Sequence, residues 1–498
     1  MKLSFLFGAG AEISYGLPSG GKFALDIFRQ DTSEIKSDFK KERANIDSTT
    51  TYAGKWLPQD YSDKSISSFG KPVFETIIKD TINHNRERII KRLNDFDEIA
   101  EYEYGKLERN KELLEYIEKN IGGSISNCNM SNSISFIEYL KDGNAIFSSN
   151  WFSAFLKIYT KKEHLKEITR YELQKMLMAI LQLQLGALSA DFVKRFNDGV
   201  FKKKDDKIDF LDDIGEIFRL NYKSVGLTGL EYIMENRTIN ITDEESLLIV
   251  LVRRIVENLY STVLDYKTLI DSNWHYLYCP KEEWAKFCKI SIFLHTVKKY
   301  IEKQICDNYK PNNQGYYNDV LNAKSKIDII SIATTNYNTL IDDITDMTVH
   351  HLNGATNIYY DPYLNRIGDK EVLNSKEKHF LVPLIFTQSG TKPMTSIDMS
   401  LKYVNVYNSY KESDYIVIIG FGFNSDDEHI NGIIRTLVDV DNKKIIVIDI
   451  DKTVTPKKIA EKLKITKYDN INIIVVDENR NSNDELWIDT IINNKVQD

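Results

Sequence analysis

Apolar and polar positions divide the chain into strand-forming segments at both ends and a helix-forming part between them. Residues 1–7 form a short apolar run with few polar residues, which is typical of a buried strand. From about residue 324 onward, four runs rich in Ile, Val and Ala follow one another: IDIISIATTNYN, DYIVIIGFGF, KKIIVIDID and INIIVVDEN. Continuous apolar strands separated by helix-like stretches predict a parallel sheet that is covered on both faces.

Two stretches between these strands have the periodicity of covering helices: DDEHINGIIRTLVD and TPKKIAEKLKI. The second begins with Thr455 and Pro456, an N-cap residue followed by a proline at the first helical position. Residues 22–29, after the first strand, also have the spacing of an amphipathic helix. Because a single strand cannot bury itself, we expect residues 1–7 to pair with the C-terminal strands.

Residues 29–320 are predicted to be mainly helical. Two of their runs, YELQKMLMAILQLQLGALSADFVKRF and ESLLIVLVRRIVENLYSTVLDY, have apolar residues three and four positions apart. Residues 33–70 are polar and predict a surface loop. The predicted fold class is therefore α/β, with a Rossmann-like parallel sheet interrupted by a large helical insertion. Residues 1–28 and 321–498 would form the sheet domain, and residues 29–320 the insertion, with a role in regulation or oligomerisation.

Composition adds that the chain is a globular protein of more than one domain. Its 498 residues are long for a single core, and 42% apolar and 28% charged residues are usual for globular proteins. A net charge of −8 gives no general reason to expect direct binding to nucleic acid. No apolar stretch reaches membrane-spanning length, and no cleavable leader precedes the glycines at residue 8. We therefore expect a cytoplasmic protein with no membrane partner.

The cysteines argue against a disulfide framework and against a metal site. Four occur in the sequence, Cys128, Cys279, Cys288 and Cys306, and no two of them form a C-x-x-C pair. A zinc ribbon needs paired ligands at short spacing, so we expect neither the ribbon nor a bound metal.

A glycine turn follows the first predicted strand directly, at Gly8, Ala9 and Gly10. A strand, a tight glycine turn and a helix N-terminus together make an anion site, because backbone N–H groups and the helix dipole point at the ligand. The usual dinucleotide fingerprint requires Gly or Ala three residues after Gly10, where Ile13 stands. The turn thus predicts a phosphorylated ligand, bound in a manner that differs from that of the usual Rossmann dinucleotide fingerprint.

Polar residues also follow the other predicted strands, at the sheet edge where ligands of open α/β sheets bind. Asn336, within TTNYN, has a short arm suited to gripping ribose hydroxyls or orienting a water; the alternative is an ordinary Asn-rich turn. HHLNGATN supplies His350 and His351, and histidine suits proton transfer near neutral pH. The alternative for each histidine is a surface residue or a hydrogen-bonded core residue.

The segment IIGFGFNSDDEHIN repeats the arrangement of a strand, a glycine turn and a helix start. Gly420 and Gly422 offer backbone donors there. Three polar residues after them could serve as caps or ligands: Asn424, Ser425 and Asp426. Asp449 ends another strand, where an acidic side chain could hold an adenosine ribose. Each signal is weak alone, but four in order at strand ends reinforce one another.

The order of these motifs resembles the sirtuin family, and more closely the sirtuin-like proteins of bacterial antiphage defence. GAGAEISYGLPSG is similar to their N-terminal glycine motif, and TTNYNTLID to their Thr-x-Asn-Tyr/Ile-Asp motif. HLNGATN lies where the family has His-Gly, IIGFGFNSDDEHIN resembles the late glycine segment, and LVPLIFTQSGTKPM a connecting segment. The resemblance covers roughly residues 1–28 and 325–460 and implies a sirtuin-type sheet.

The resemblance also implies that the chain binds NAD, as a substrate. Backbone N–H groups of the first glycine turn would hold the diphosphate, with Pro18 and Ser19 bordering the nicotinamide side. The residues expected to bind NAD are Gly8, Ala9, Gly10, Pro18, Ser19, Thr335, Asn338, Gly420, Gly422, Asn424 and Asp449.

Because the zinc ribbon of the family's deacylases is missing, the resemblance favours NAD hydrolysis, by which defence members deplete NAD and halt the infected cell. Asn336 would hold the ribose or the water, and a histidine would accept a proton. Asn338 stands where the family has Asp, and Asn353 where it has the catalytic His. His351 lies two residues earlier, on the same face of an extended segment, and could substitute.

Two function classes therefore remain open. The first is an NAD glycohydrolase effector that awaits a trigger, such as a partner defence protein, a nucleotide signal or assembly into a homo-oligomer. The second is a catalytically silent NAD- or ADP-ribose-binding sensor or scaffold, which the replacements at Asn338 and Asn353 favour. Protein deacylation is disfavoured by the missing ribbon.

Overall fold

The computed structural model describes residues 1–17, 23–84, 86–129, 146–160, 162–187, 207–209, 219–221, 226–235, 237, 239–263, 273–386 and 396–493. The chain forms two compact units. The sheet unit comprises Met1–Gly20, Gln30–Phe69 and Lys267–Asp498, and the helical unit comprises Gly21–Arg29 and Gly70–Tyr266. Residues 30–69 and 267–320 thus belong to the unit that contains the sheet, whereas the expected boundaries at residues 28 and 320 stay a prediction about folding domains.

A six-stranded parallel sheet organises the sheet unit. Its strands are β1 (Lys2–Phe7), β4 (Asp328–Thr334), β5 (Val349–His351), β9 (Tyr415–Ile419), β10 (Lys444–Asp449) and β11 (Ile471–Val475). They lie in the order β11-β10-β9-β1-β4-β5. Numbered by their succession along the chain, this is the 3-2-1-4-5-6 order of doubly wound sheets. The fold is therefore mixed α/β and compatible with a Rossmann-like sheet, and the four predicted C-terminal strands are confirmed.

Strand β1 lies in the middle of the sheet, which confirms the expectation that it pairs with the C-terminal strands. It pairs in parallel with β4 on one side and with β9 on the other. Five of its six residues are buried, which explains why its sequence is continuously apolar rather than alternating. Phe7 packs edge-on against Tyr317, with ring centroids 5.0 Å apart. The N-terminal strand is thus completed by partners from the far end of the chain.

Helices and two smaller sheets complete the sheet unit. The helices are α2 (Ser33–Ala44), α11 (Trp284–Asn308), α12 (Tyr316–Ala323), α13 (Leu340–Thr345), α14 (Lys370–Leu373), α15 (Ile397–Glu412), α16 (Glu428–Asp439), α17 (Pro456–Leu463) and α18 (Trp487–Ile492). The further strands are β6 (Gly354–Asp361), β7 (Arg366–Gly368), β8 (Val382–Ile385), β12 (Asn481–Ser482) and β13 (Glu485–Leu486). Strands β7, β6 and β8 form an antiparallel sheet in that order, and β12 pairs with β13. The predicted cap of α17 is confirmed, since the Thr455 side chain accepts a hydrogen bond from the Lys458 N–H.

The prediction of a loop over residues 33–70 is wrong. The segment contains α2 and a π-helical turn, Tyr52–Trp56. Three of its aromatic residues are buried, Phe39, Tyr52 and Tyr61. Phe39 stacks on Phe380 at 4.5 Å between centroids, and Tyr52 is 1% exposed. The polar composition reflects the exposed positions, while a small number of aromatic anchors fixes the segment.

The helical unit is described for the helices α1 (Phe23–Phe28), α3 (Lys71–His84), α4 (Arg86–Asn94), α5 (Phe96–Gly105), α6 (Asn110–Ile121), α7 (Asn150–Thr160), α8 (Glu167–Ala187), α9 (Leu227–Met234) and α10 (Glu244–Val263), and for the hairpin of β2 (Lys207–Asp209) and β3 (Arg219–Asn221). Helices α8 and α10 pack together. Between them Arg253 binds the fully buried Glu172, with Nε 2.9 Å from Oε2. No helix in the described part of the chain is long and apolar enough to cross a membrane.

Candidate functional site

The two glycine turns meet at the point of the sheet where the strand order reverses. After β1 the chain adds β4 and β5 on one side, then returns to place β9, β10 and β11 on the other. In open α/β sheets, ligands bind outside the carboxyl ends of the strands at such a point. The Gly8 N–H donates to the carbonyl oxygen of Ile419 at 2.9 Å, and the Gly10 N–H to that of Gly420 at 3.0 Å. The predicted juxtaposition of the two turns is therefore present.

The turn at Gly8–Gly10 and the turn at Gly420–Gly422 cross each other, and we call this place the glycine crossing. The close approach of the two backbones explains why glycines stand there. Gly420 has a φ of 65°, and a Cβ there would lie 2.2 Å from the Ala11 nitrogen. A Cβ on Gly8 would lie 2.5 Å from the Gly420 carbonyl oxygen. Because the Gly8 and Gly10 N–H groups bind the neighbouring strand end and turn, they do not point at a ligand as expected. The diphosphate contact expected from Ala9 and the NAD contacts expected from Gly420 and Gly422 stay predictions.

The turn also leads into a different helix from the one anticipated for an anion site. Residues Ala9–Tyr15 form a 3₁₀ helix that ends at Gly16, with a φ of 88°. The first α-helix, Phe23–Phe28, begins only later. The α-helix predicted over residues 22–29 is therefore present as Phe23–Phe28, but the 3₁₀ helix separates it from the glycine turn, which corrects the expected anion site made of a strand, a turn and an α-helix N-terminus.

Glu12 is the centre of a buried polar network. Its carboxylate accepts hydrogen bonds from the Tyr317 hydroxyl at 2.8 Å (Oε1) and from Asn338 Nδ2 at 2.7 Å (Oε2). The salt bridges among the described residues do not include Glu12. Burial raises the pKa of this carboxyl, and the donors of Asn338 and Tyr317 oppose the shift. The network thus places an acidic group next to the strand ends.

Asn336 joins this network to the first glycine turn. Its Nδ2 donates to the Gly8 carbonyl oxygen and to the Tyr317 hydroxyl oxygen, both at 3.2 Å. Its backbone N–H donates to the Thr334 hydroxyl at 3.0 Å. Asn336 is buried, with 6% of the residue's surface exposed. The Asn336 amide is thus held from two elements, and its expected role toward the ribose or a water stays a prediction.

His351 is held inside the protein by both ring nitrogens. Nδ1 lies 3.1 Å from the Asn336 carbonyl oxygen, and Nε2 lies 2.9 Å from Asp342 Oδ2. A carbonyl and a carboxylate only accept, so both contacts are hydrogen bonds when both nitrogens carry a proton. His351 therefore contacts the Asn336 peptide and Asp342, and its expected role as the proton acceptor stays a prediction.

Asn353, where a histidine was expected, contacts a histidine from another element. Its Oδ1 lies 3.1 Å from Nε2 of His429, in the first turn of α16. Its Nδ2 donates to Asp427 Oδ1 at 3.3 Å. The His429 ring also packs edge-on against Tyr403, at 5.6 Å between centroids. An imidazole is thus present next to position 353, although it is supplied by residue 429.

The remaining expected residues lie at the same sheet edge or outside the described ranges. The Thr335 N–H donates to the Phe7 carbonyl oxygen at 2.9 Å. Asn424 is exposed and precedes the 3₁₀ helix Ser425–Asp427 as its N-cap. Asp449 ends β10, and its carboxylate accepts the Asp451 N–H at 2.9 Å. Pro18 and Ser19 lie outside the described residues.

Burial also changes two basic groups near His351. Lys402, on α15, directs Nζ at the His351 carbonyl oxygen at 3.4 Å. Burial lowers the pKa of Lys402, with Asp342 opposing the shift, and it also lowers the pKa of His350. We assign these two groups no part in binding.

Sequence reasoning missed several residues of this site. Glu12 lies inside the quoted glycine motif, and His429 inside the late glycine segment, so both were visible but had no stated role. Asp342 ends the quoted segment TTNYNTLID and likewise had no stated role, whereas Tyr317 had no sequence signal because it lies at the end of the predicted insertion. Within the described ranges, no three His, Cys, Asp or Glu side chains are grouped to hold a metal ion.

No model of a known protein family matches the chain, and no curated protein matches it significantly. The site must therefore be interpreted from its own geometry.

Proposed function

We propose that the sheet unit has a sirtuin-type fold and is an NAD glycohydrolase. The observation that supports this most is the crossing of two glycine turns at the reversal point of the sheet, with the amide of Asn336 held directly beneath it. Dinucleotides bind at this point in sheets of this strand order. A buried amide there can bind ribose hydroxyls or a water.

The proposed reaction consumes NAD and water and forms ADP-ribose, nicotinamide and a proton. The bond between the nicotinamide nitrogen and C1′ of the ribose breaks, and nicotinamide leaves with the bonding electron pair. The oxocarbenium-like ribose is then attacked by a water oxygen, which loses a proton. Asn336 orients the ribose or the water, and exclusion of bulk solvent favours attack by the held water.

His429 is a second candidate for the proton acceptor, beside His351. His351 contacts the Asn336 carbonyl oxygen and Asp342 through its two ring nitrogens. His429 is half-buried at the helix start that follows the second glycine turn, where Asn353 orients its ring. A positioned imidazole contributes typically 10²–10⁴-fold to a rate.

Nicotinamide release from NAD by the purified full chain tests this function. Asn336→Ala and His429→Ala are expected to lose turnover, while the exposed Asn479→Ala serves as the matched amide control. Asn353→Ala is expected to retain part of the activity, because its role is to orient His429. Full activity in both Asn336→Ala and His429→Ala would refute the assignment of the site.

A second candidate is a catalytically silent NAD- or ADP-ribose-binding subunit. It is favoured by the amide at position 353 and by the internal engagement of His351. NAD would then raise the melting temperature without releasing nicotinamide. Adding extract of phage-infected cells separates this state from a latent enzyme, since only the latent enzyme becomes active.

For the biological role, we propose a cytoplasmic antiphage effector that depletes NAD once triggered. A hydrolase of this kind must be silent before infection, so a partner protein, a nucleotide signal or homo-oligomer assembly would control it, with the helical unit as the receiving part. Measuring cellular NAD after phage infection, with and without Asn336→Ala, tests the role. An NAD level that is equal in the two strains would contradict it.

A further inference from the structure

The hydrogen bonds around Glu12 all run in one direction. Asn336 Nδ2 donates to the Tyr317 hydroxyl oxygen, and the Tyr317 hydroxyl donates in turn to Glu12 Oε1. From the other side, Asn338 Nδ2 donates to Glu12 Oε2. Glu12 is therefore the common end of two donor chains, and each of its oxygens accepts.

Backbone groups fix the direction of both amides in this network. The Gly8 carbonyl oxygen accepts from Asn336, so the nitrogen of that amide must face the turn. The Leu340 N–H donates to Asn338 Oδ1 at 3.0 Å, so the nitrogen of that amide must face Glu12. A reversed Asn336 amide would set its oxygen against the Gly8 carbonyl oxygen, which already accepts from the Ala11 N–H, so that two acceptors would face each other. A reversed Asn338 amide would leave the Leu340 N–H without its acceptor, which costs about 1–3 kcal/mol.

Only a group that accepts at both ends fits position 12. An ionised carboxylate does so, whereas an amide accepts at one end and donates at the other. With Gln at this position, the amide nitrogen would face either the Tyr317 hydroxyl or Asn338 Nδ2, and both of these are donors there. A mismatch on the Tyr317 side would disturb the amide of Asn336.

We propose that Glu12 is a positioning residue that acts through Tyr317 to hold the Asn336 amide, so that Asn336 Oδ1 is presented to the ribose hydroxyls or to the attacking water. This inference rests on the proposed NAD glycohydrolase function. Glu12 itself does not touch the substrate. Glu12 and Asn338 form one pair of a carboxylate and an amide. The carboxylate and the amide can change places between positions 12 and 338, provided that every donor still faces an acceptor.

An exchange of the pair tests this inference. In Glu12→Gln/Asn338→Asp, the amide at position 12 donates to the carboxylate at 338 and still accepts from Tyr317, while the other oxygen at 338 accepts from Leu340. We expect Glu12→Gln to lose about tenfold or more in kcat, because one buried donor is left without an acceptor. Asn338→Asp alone places two carboxyl groups against each other and is expected to lose activity as well. The double variant is expected to recover to within about threefold of the wild type.

The melting temperature of each variant is measured as well, and kcat is determined at a temperature at which the variant is fully folded. Glu478→Gln, an exposed carboxyl of the same unit, is the matched control and should have wild-type kcat. Tyr317→Phe, which removes the linking hydroxyl, should lose kcat as Glu12→Gln does. A merely structural role would lower the melting temperature of Glu12→Gln and leave the kcat of the folded protein unchanged.

The outcomes separate the two proposals. If the wild type releases nicotinamide and the double variant is as impaired as Glu12→Gln, the inference is overturned and the NAD glycohydrolase function stands. If the wild type binds NAD without cleaving it, recovery of the dissociation constant in the double variant supports the inference and the silent function. A wild type that neither binds nor cleaves NAD overturns the proposed function, together with the substrate role given to Asn336 here.

Discussion

Replacing Gly420 with alanine should disrupt the crossing of the two glycine turns. The residue has a φ of 65°, and an added Cβ would lie 2.2 Å from the Ala11 nitrogen and 2.6 Å from the Gly10 carbonyl carbon. The left-handed backbone costs a non-glycine residue about 1–2 kcal/mol. Relieving an overpacked contact costs about 1–3 kcal/mol. The lower entropy of the unfolded alanine chain offsets about 0.4–1 kcal/mol of this.

We therefore expect Gly420→Ala to destabilise the crossing by about 2–4 kcal/mol. Backbone hydrogen exchange measures this locally, because the Gly8 and Gly10 N–H groups bind the end of β9 and its turn. At tenfold per 1.4 kcal/mol, exchange of the peptide that covers these residues should become roughly 30- to 700-fold faster. The measurement uses the full chain, so it does not require both units to unfold together.

Gly432→Ala is the matched control for this prediction. Gly432 lies in α16 of the same unit, and no heavy atom lies within 4 Å of the position of an added Cβ. The same substitution inside a helix should stabilise by about 0.5–1 kcal/mol. Equal exchange of the first glycine turn in Gly420→Ala and Gly432→Ala would refute the argument that the close approach requires glycine.

Three further predictions address separate parts of the molecule. Because burial raises the pKa of Glu12 above its ordinary value, the folded protein takes the ionised form, which accepts at both oxygens, at a higher pH than the unfolded chain does. The stability of the wild type relative to Glu12→Gln should thus fall as pH rises from about 4.5, and a constant difference in melting temperature up to about pH 8 would contradict this. His351→Ala should lower the free energy of unfolding in denaturant by about 1–3 kcal/mol, since it leaves a buried carbonyl unpaired. His429→Ala should lower nicotinamide release with a smaller loss of stability. Equal losses of stability in the two variants would count against the different roles. Arg253→Ala should destabilise the helical unit by up to about 3–5 kcal/mol, because the buried Glu172 would keep only the 3.5 Å ion pair with the more exposed Arg237. An unchanged urea transition would show that the pair with Arg253 is not needed.

The sheet was predictable because its strands are buried on both faces. β9 and β10 are continuous apolar runs, and no helical spacing competes with them. β5 was not predicted as a strand, because Val349–His351 has three residues of which two are histidines. It forms because β4 offers a parallel edge, which is a property of the folded sheet rather than of the segment.

The site was predictable in its location and less so in its connections. Strand ends and glycine spacing placed Asn336 and the two turns at one edge of the sheet. The sequence could not show that the N–H groups of Gly8 and Gly10 bind the partner strand end and turn, because this depends on which strands are neighbours. Tyr317 reaches Glu12 across 305 positions of the chain, so no local pattern marks it.

The central position of β1 also sets the time at which the site can form during synthesis. Lys2 and its partner Asp414, at the start of the adjoining strand, are 412 positions apart. At about 5–20 residues per second, the ribosome needs roughly 20–80 s to make the intervening chain. During that interval the first glycine turn has no partner turn to bind. We therefore expect a nascent chain to be without the crossing, and so without the proposed NAD-cleaving site, until β9 has emerged.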